Sequence, residues 1–151
     1  MATQLKTLIA RWENRGAFFE ALFAKLCEEM TKTLRDHTPG KTLPLEWNYD
    51  VIQSGTAVEA RIWNQRVEDD PEFERIMFYL DLGTSDHWIF PVRAQALHWI
   101  DATGEDRFSK GHEVSGIRAS DFSARAEIVL LKFKARIPGM WGRYMNTGRM
   151  P

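Results

Sequence analysis

The chain has one cysteine, Cys27, so it can form neither an intrachain disulfide nor a multi-cysteine zinc site. Cys27 falls inside an apolar helical pattern, where a free thiol behaves as a small hydrophobe. No run of about 18 apolar residues occurs, which excludes a membrane-spanning helix. The opening Met-Ala-Thr-Gln-Leu-Lys lacks the apolar stretch of a secretory signal, and a soluble, intracellular product is expected. An excess of one charge is missing too. Twenty basic and 21 acidic residues leave a formal net charge of −1, with no electrostatic drive toward DNA or an anionic membrane. Histidine is sparse: His37, His87, His98 and His112 are too scattered for a His-Glu-x-x-His pair. Ser54-Gly55 and Ser115-Gly116 lack the Gly-x-Ser-x-Gly setting of an exposed nucleophile. Gly139-Met-Trp-Gly142 lacks the Lys-Ser/Thr ending of a phosphate loop, and Gly104 and Gly111 stand alone.

What is present suits one globular domain. The 151 residues are 44% hydrophobic and 27% charged, enough to bury a core. Leu5, Leu8, Ile9, Trp12, Phe19, Leu22, Phe23, Leu26, Met30 and Leu34 recur at three- and four-residue steps, predicting one long N-terminal helix. Gly16 interrupts that stripe, marking a bend or a close approach, and Thr38-Pro39-Gly40 stops it. Trp47, Tyr49 and Val51 alternate with polar residues, and Val58, Ala60 and Ile62 do the same after Ser54-Gly55, which predicts a hairpin. The acidic stretch 66–75 reads as a solvated excursion with at most a helical turn. Residues 76–82 are nearly continuously apolar, and their period leaves strand and helix open. Two weaker strands are expected at 94–100 and 107–114, joined through the Asp101–Gly104 turn. A last helix starts near Ser120 or Asp121, either a suitable N-cap, and carries Phe122, Ala126, Val129, Leu130, Phe133 and Ile137. Pro138-Gly139 should end it. Ile128 and Leu131 lie off its core stripe, which widens its apolar surface toward a second partner. The predicted fold is therefore α+β: a long N-terminal helix, a mostly antiparallel sheet of about four to five strands, and a C-terminal helix packed on one face. Residues 1–137 form the domain, and 138–151 an irregular tail, expected to act as an inter-subunit arm that orders on assembly.

Chemistry-bearing clusters are few. Asp81, Asp86 and His87 are close enough in sequence for a small metal-dependent enzyme to use them, but as turn and capping residues they need no ligand. Of the six tryptophans, Trp12 and Trp47 suit the core. Trp63 lies on the charged face of its strand, and Trp141 lies in the tail with Tyr144 and Arg143. These four are the interface candidates, since aromatics and arginine anchor protein contacts. Lys132, Lys134, Arg136, Arg143 and Arg149 make the C-terminal stretch locally basic, facing either passing DNA or acidic neighbours. The acidic loop 68–74 favours neighbours.

The segment 79–122 carries an ordered set of small motifs. Tyr79-Leu-Asp-Leu-Gly83-Thr84-Ser-Asp-His87-Trp-Ile-Phe-Pro91 is followed by Ala96-Leu97-His-Trp99, Gly104, Phe108-Ser-Lys110 and Gly116-Ile117-Arg-Ala-Ser-Asp-Phe122. This order resembles the tailed-phage neck and tail-completion family, the morphogenesis proteins that include the Z protein of lambda. Val114-Ser115 stands where that family has His-Pro, and Thr38-Pro-Gly40-Lys-Thr-Leu43 only echoes its signature after the first helix. The resemblance implies a structural protein of the virion neck or head-proximal tail, assembled in the host cytoplasm and not an enzyme. It implies a homo-oligomeric ring with other neck and tail proteins as partners, no cofactor, no membrane, and DNA only as the passing genome. A tail-terminator or head-closure subunit of the same neck is the nearest alternative. Gly83, Thr84, His87, Pro91, Gly116 and Phe122 are the motif residues it singles out, with Pro91 opening a strand.

Overall fold

The computed structural model describes residues 2–54 and 57–151, apart from the side chains of Ala2, Thr3 and Leu5. The Gly55 turn and the side chain of Leu5 in the N-terminal stripe lie outside what is described.

The N-terminal stripe forms two helices instead of one, α1 (Ala2–Glu13) and α2 (Arg15–His37). Asn14 leaves helical geometry between them, at φ −89° and ψ 17°. Gly16 sits just past the break and approaches a strand closely, since a Cβ there would stand 2.4 Å from Gln53 Nε2. α2 ends where expected. The Thr38 N–H and hydroxyl both donate to Leu34 O, at 2.8 and 2.7 Å, and close the last turn.

β1 (Trp47–Ser54) and β2 (Ala57–Asn64) form the expected hairpin, with Val51 opposite Ala60 and Tyr49 opposite Ile62. The ribbon lies on α2. Trp47 anchors it, donating from Nε1 to Thr38 Oγ1 at 2.8 Å while its carbonyl accepts from Arg35 Nη2 at 2.6 Å. The acidic excursion contains a short helix, α3 (Gln65–Asp69), capped by Asn64 Oδ1 on the Arg66 N–H at 3.0 Å. The apolar run beyond it is helical: α4 (Phe73–Leu82) buries Met77 and Asp81, one turn apart.

The expected sheet is not one sheet. Among the described residues there are three separate two-stranded antiparallel ribbons: β1 with β2, β3 (His87–Ile89) with β6 (His112–Val114), and β4 (Leu97–Ile100) with β5 (Asp106–Ser109). The strand expected over 107–114 is split at Gly111, whose φ of +149° no ordinary side chain favours. A Cβ at Gly111 would also stand 2.6 Å from the Phe90 ring. Pro91 follows β3 and opens no strand. The mixed α+β character stands, with the strand content divided among small ribbons.

The largest departure is at the C-terminus. α5 runs from Phe122 to Thr147, straight through Pro138, so residues 138–147 are helix and not an irregular tail. Proline removes one intrahelical donor and crowds the preceding turn. Packing on α1 and α2 outweighs that cost. Phe18, Leu22, Phe133 and Tyr144 form one buried cluster, with Trp141 packed against it. Trp141 meets Phe18 edge-on at 5.1 Å and stacks on Phe19 at 5.7 Å. The Tyr144 hydroxyl donates toward the carbonyls of Arg11 and Asn14, at 3.0 and 3.4 Å, at the helix break. A second cluster, Leu34, Met77, Phe122 and Ala126, fills the other end, so α2 and α5 pack antiparallel. Gly148, at φ +76°, caps α5 in the left-handed region.

Limited proteolysis checks this ending: the protein should resist chymotrypsin at Trp141 and Tyr144. Early cleavage at either residue, read by mass spectrometry, would mean the last turns of α5 are not packed in solution.

Candidate functional site

The motifs flanking the arm 86–115 meet in space. α4 stops at Gly83, whose φ of +76° turns the chain and whose N–H closes on Tyr79 O at 2.9 Å. From there, residues 80–86 run beside residues 116–123 and bond to them repeatedly. The Thr84 N–H donates to Ile117 O at 2.8 Å, and the Ile117 N–H donates to Thr84 Oγ1 at 2.9 Å. The Gly116 N–H donates to Asp86 Oδ1 at 2.6 Å. Ser120 donates through both its N–H and its hydroxyl to Leu80 O, at 3.2 and 2.7 Å. Both glycines are demanded by the opposite segment. A Cβ on Gly83 would stand 2.6 Å from Ile117 O, and one on Gly116 would stand 2.0 Å from Thr84 O.

Asp81 completes this clamp. It is buried in α4, its Oδ1 accepts from the Ser123 N–H at 3.1 Å, and its Oδ2 takes the Ser123 hydroxyl. An N-terminal backbone donor of α5 is thus satisfied by a carboxylate from another helix. Asp121 occupies the N-cap position at φ +53°, but its side chain makes no capping bond. The cap expected from Ser120 or Asp121 is supplied by Asp81 instead. Phe122 then enters the core beside Leu34 and Met77, edge-on to Trp47 at 5.9 Å.

Gly83, Thr84, Gly116 and Phe122 are therefore brought together, whereas His87 and Pro91 lie outward on the arm. His87 is exposed, with Nδ1 3.0 Å from Ser85 O. An open depression of about 490 Å³ lies beside the clamp, lined by Tyr79, Thr84, Ser85, His87, Val114, Ser115 and Ile117. Asp81, Asp86 and His87 do not converge: each is committed to a different partner. Among the described residues no group of three His, Cys, Asp or Glu side chains is placed to hold a metal ion. Cys27 is buried, and burial pushes its thiol pKa up, away from the reactive thiolate.

Beyond the clamp, β3–β6 and β4–β5 follow one another along a single hairpin arm. The main packing partner of each strand is its ribbon mate, and no helix packs extensively on either ribbon. The large side chains of the arm therefore face water. Phe90 is 62% exposed, Val92 94%, Ile100 66% and Phe108 70%. Trp88 stacks on Phe90 at 6.0 Å, and His98 stacks on Phe108 at 4.7 Å. The arm's turn is organised by Asp101, whose carboxylate accepts from the Thr103 hydroxyl, Arg107 Nε and the backbone N–H groups of Thr103 and Glu105. Those bonds, the Thr103 hydroxyl first, lower its pKa to about 2.

The interface candidates separate. Trp63 lies on the outer face of β2, partly covered by the Arg61 guanidinium 5.3 Å from its ring centroid. Arg143 is exposed. Tyr144 and Trp141 belong to the core and are not free anchors, because α5 carries them onto Phe18. Sequence reasoning overlooked Trp88, Phe90 and Val92, although their two-residue spacing is the signal of a strand face. Asp81 as a cap between two helices had no local signal.

No protein-family model, no curated protein and no solved structure matches this chain. Among the described residues no helix is long and apolar enough to cross a membrane.

Gly83→Ala or Gly116→Ala should open the clamp and destabilise the protein by about 2 kcal/mol or more, read by urea unfolding. A loss under about 0.5 kcal/mol would show that the two segments can part freely. Asp101 has a folded pKa below the ordinary carboxylate value of about 3.9. Its stabilisation of the turn is thus present above about pH 4 and lost as pH falls through about 2. An NMR titration of Asp101 should show a midpoint near 2, raised by Thr103→Ala. A wild-type midpoint near 4 would contradict the bonded turn.

Proposed function

We propose that this chain is a structural protein of a tailed-phage virion, acting in the neck to complete the tail or join it to the head connector. It does so as a ring built with copies of itself and neighbouring neck proteins, without a cofactor, and DNA meets it only as the passing genome. The observation that carries this reading is the arm, 86–115. A two-stranded ribbon with exposed Trp88, Phe90, Val92, Ile100 and Phe108 has no core of its own. Exposed apolar side chains in this number on one arm mark a protein contact. Open β-edges can also accept a neighbour's strand. The motifs that resemble the neck family support the same reading, because Gly83-Thr84 and Gly116-Ile117 are the two feet from which the arm extends.

Electron microscopy of particles made without this gene is the test. Filled heads beside unjoined tails, or tails of normal length that do not bind heads, are expected. Intact, infectious particles would refute a neck role.

A further inference from the structure

The outer face of α5 carries a cationic stripe. Arg125, Lys132, Arg136 and Arg143 follow one another at steps of seven, four and seven residues. At 3.6 residues per turn they share one face, spanning roughly 27 Å at a rise of about 1.5 Å per residue. All four are exposed. Arg136 is engaged in a two-pronged pair with Glu29 of α2, at 2.9 and 3.1 Å. The other three are in no ion pair among the described residues. Ile128 and Leu131, at 49% and 57% exposure, flank the stripe. The same chain bears the complement elsewhere. Glu68, Asp69, Asp70, Glu72 and Glu74 crowd the corner between α3 and α4, and among the described residues only Glu68 of these is in an ion pair, with Arg61. Next to that corner, Ile76 and Phe78 of α4 are exposed.

We infer that the outer face of α5 docks the α3–α4 corner of a second copy of this chain, head to tail. The inference rests on the ring reading and assigns the two surfaces that would join its subunits. Two distinct patches on one molecule, opposite in charge and each edged by apolar side chains, make a heterologous contact, and such contacts close into rings when the rotation between copies allows. The apolar flank decides against DNA. A duplex offers phosphates to Lys132 and Arg143 but nothing to Ile128 and Leu131, whereas the acidic corner with Ile76 and Phe78 answers both.

Paired charge reversals test the contact. Lys132→Glu with Arg143→Glu takes the four cations of the stripe from +4 to zero, and Glu72→Lys with Glu74→Lys takes the five acids of the corner from −5 to −1, so each variant loses the attraction on one side only. All four positions are exposed and outside the ion pairs of the described residues, and circular dichroism checks that each variant keeps its helix content. Analytical ultracentrifugation should show wild-type association that weakens with added salt. Either variant alone should associate on the order of tenfold or more weakly, and an equimolar mixture of the two should recover association. Association unchanged in both variants overturns this contact while leaving a ring free to form through other surfaces. Weakening without recovery in the mixture overturns the pairing of these two patches. A wild-type chain that stays monomeric overturns it as well, in favour of nucleic acid if it binds duplex DNA through Lys132 and Arg143. Particle morphology judges the neck role separately from all of these.

Discussion

Phe18 and Phe133 are both fully buried, and they stand on the two long helices that hold the molecule together. The antiparallel seam of α2 with α5 carries both core clusters, one toward each end. Two departures from simple helix rules turn out to be one event along it. The N-terminal helix breaks at Asn14, and α5 continues past Pro138, which brings Tyr144 to the carbonyls of Arg11 and Asn14 at that break. Arg11 adds a bond back to Met145 O at 2.5 Å. Aromatic burial of about 150–250 Å² per ring outweighs a proline penalty of about 3 kcal/mol, so the helix persists.

At the other end of the seam, the clamp separates what is held from what is offered. Closing a loop the size of the arm costs little more than closing a shorter one, because the entropic cost grows only logarithmically with length. The feet are secured by backbone and short side-chain bonds, and two glycines let the segments approach to a distance that any side chain would block. The body can therefore be complete while the arm keeps its aromatic side chains in water. A chain made this way has its own core and still leaves large apolar side chains of the arm exposed.

Charge follows the same division. The near-zero net charge conceals a basic helix face and an acidic corner; among the described residues Arg136 of the first pairs with Glu29 and Glu68 of the second with Arg61. The Glu29 carboxylate raises the pKa of Arg136 and ties one cation of the stripe to α2. The rest remain available to whatever lies outside.

Much of this was legible along the chain. Apolar periodicity located α2 and α5, alternation located the β1–β2 hairpin and, Tyr49 excepted, its half-buried face, and Gly16 marked a close approach, because each signal is local and repeats within a few residues. The motif order singled out Gly83 and Gly116 without revealing that they face each other, since no local period relates positions on opposite feet of a hairpin arm. The same limit hid Asp81, whose capping partner lies on another helix. Tertiary structure alone decided three things. Residues 76–82 became helix because Met77 and Asp81, one turn apart, both had buried partners. The strand expected at 107–114 was divided because Gly111 meets the Phe90 ring. Pro138 was absorbed into α5 because its local penalty was smaller than what distant rings on α1 and α2 returned. Sequence determines the energies of near neighbours, and it is the sum over far ones that decided where this chain breaks and where it continues.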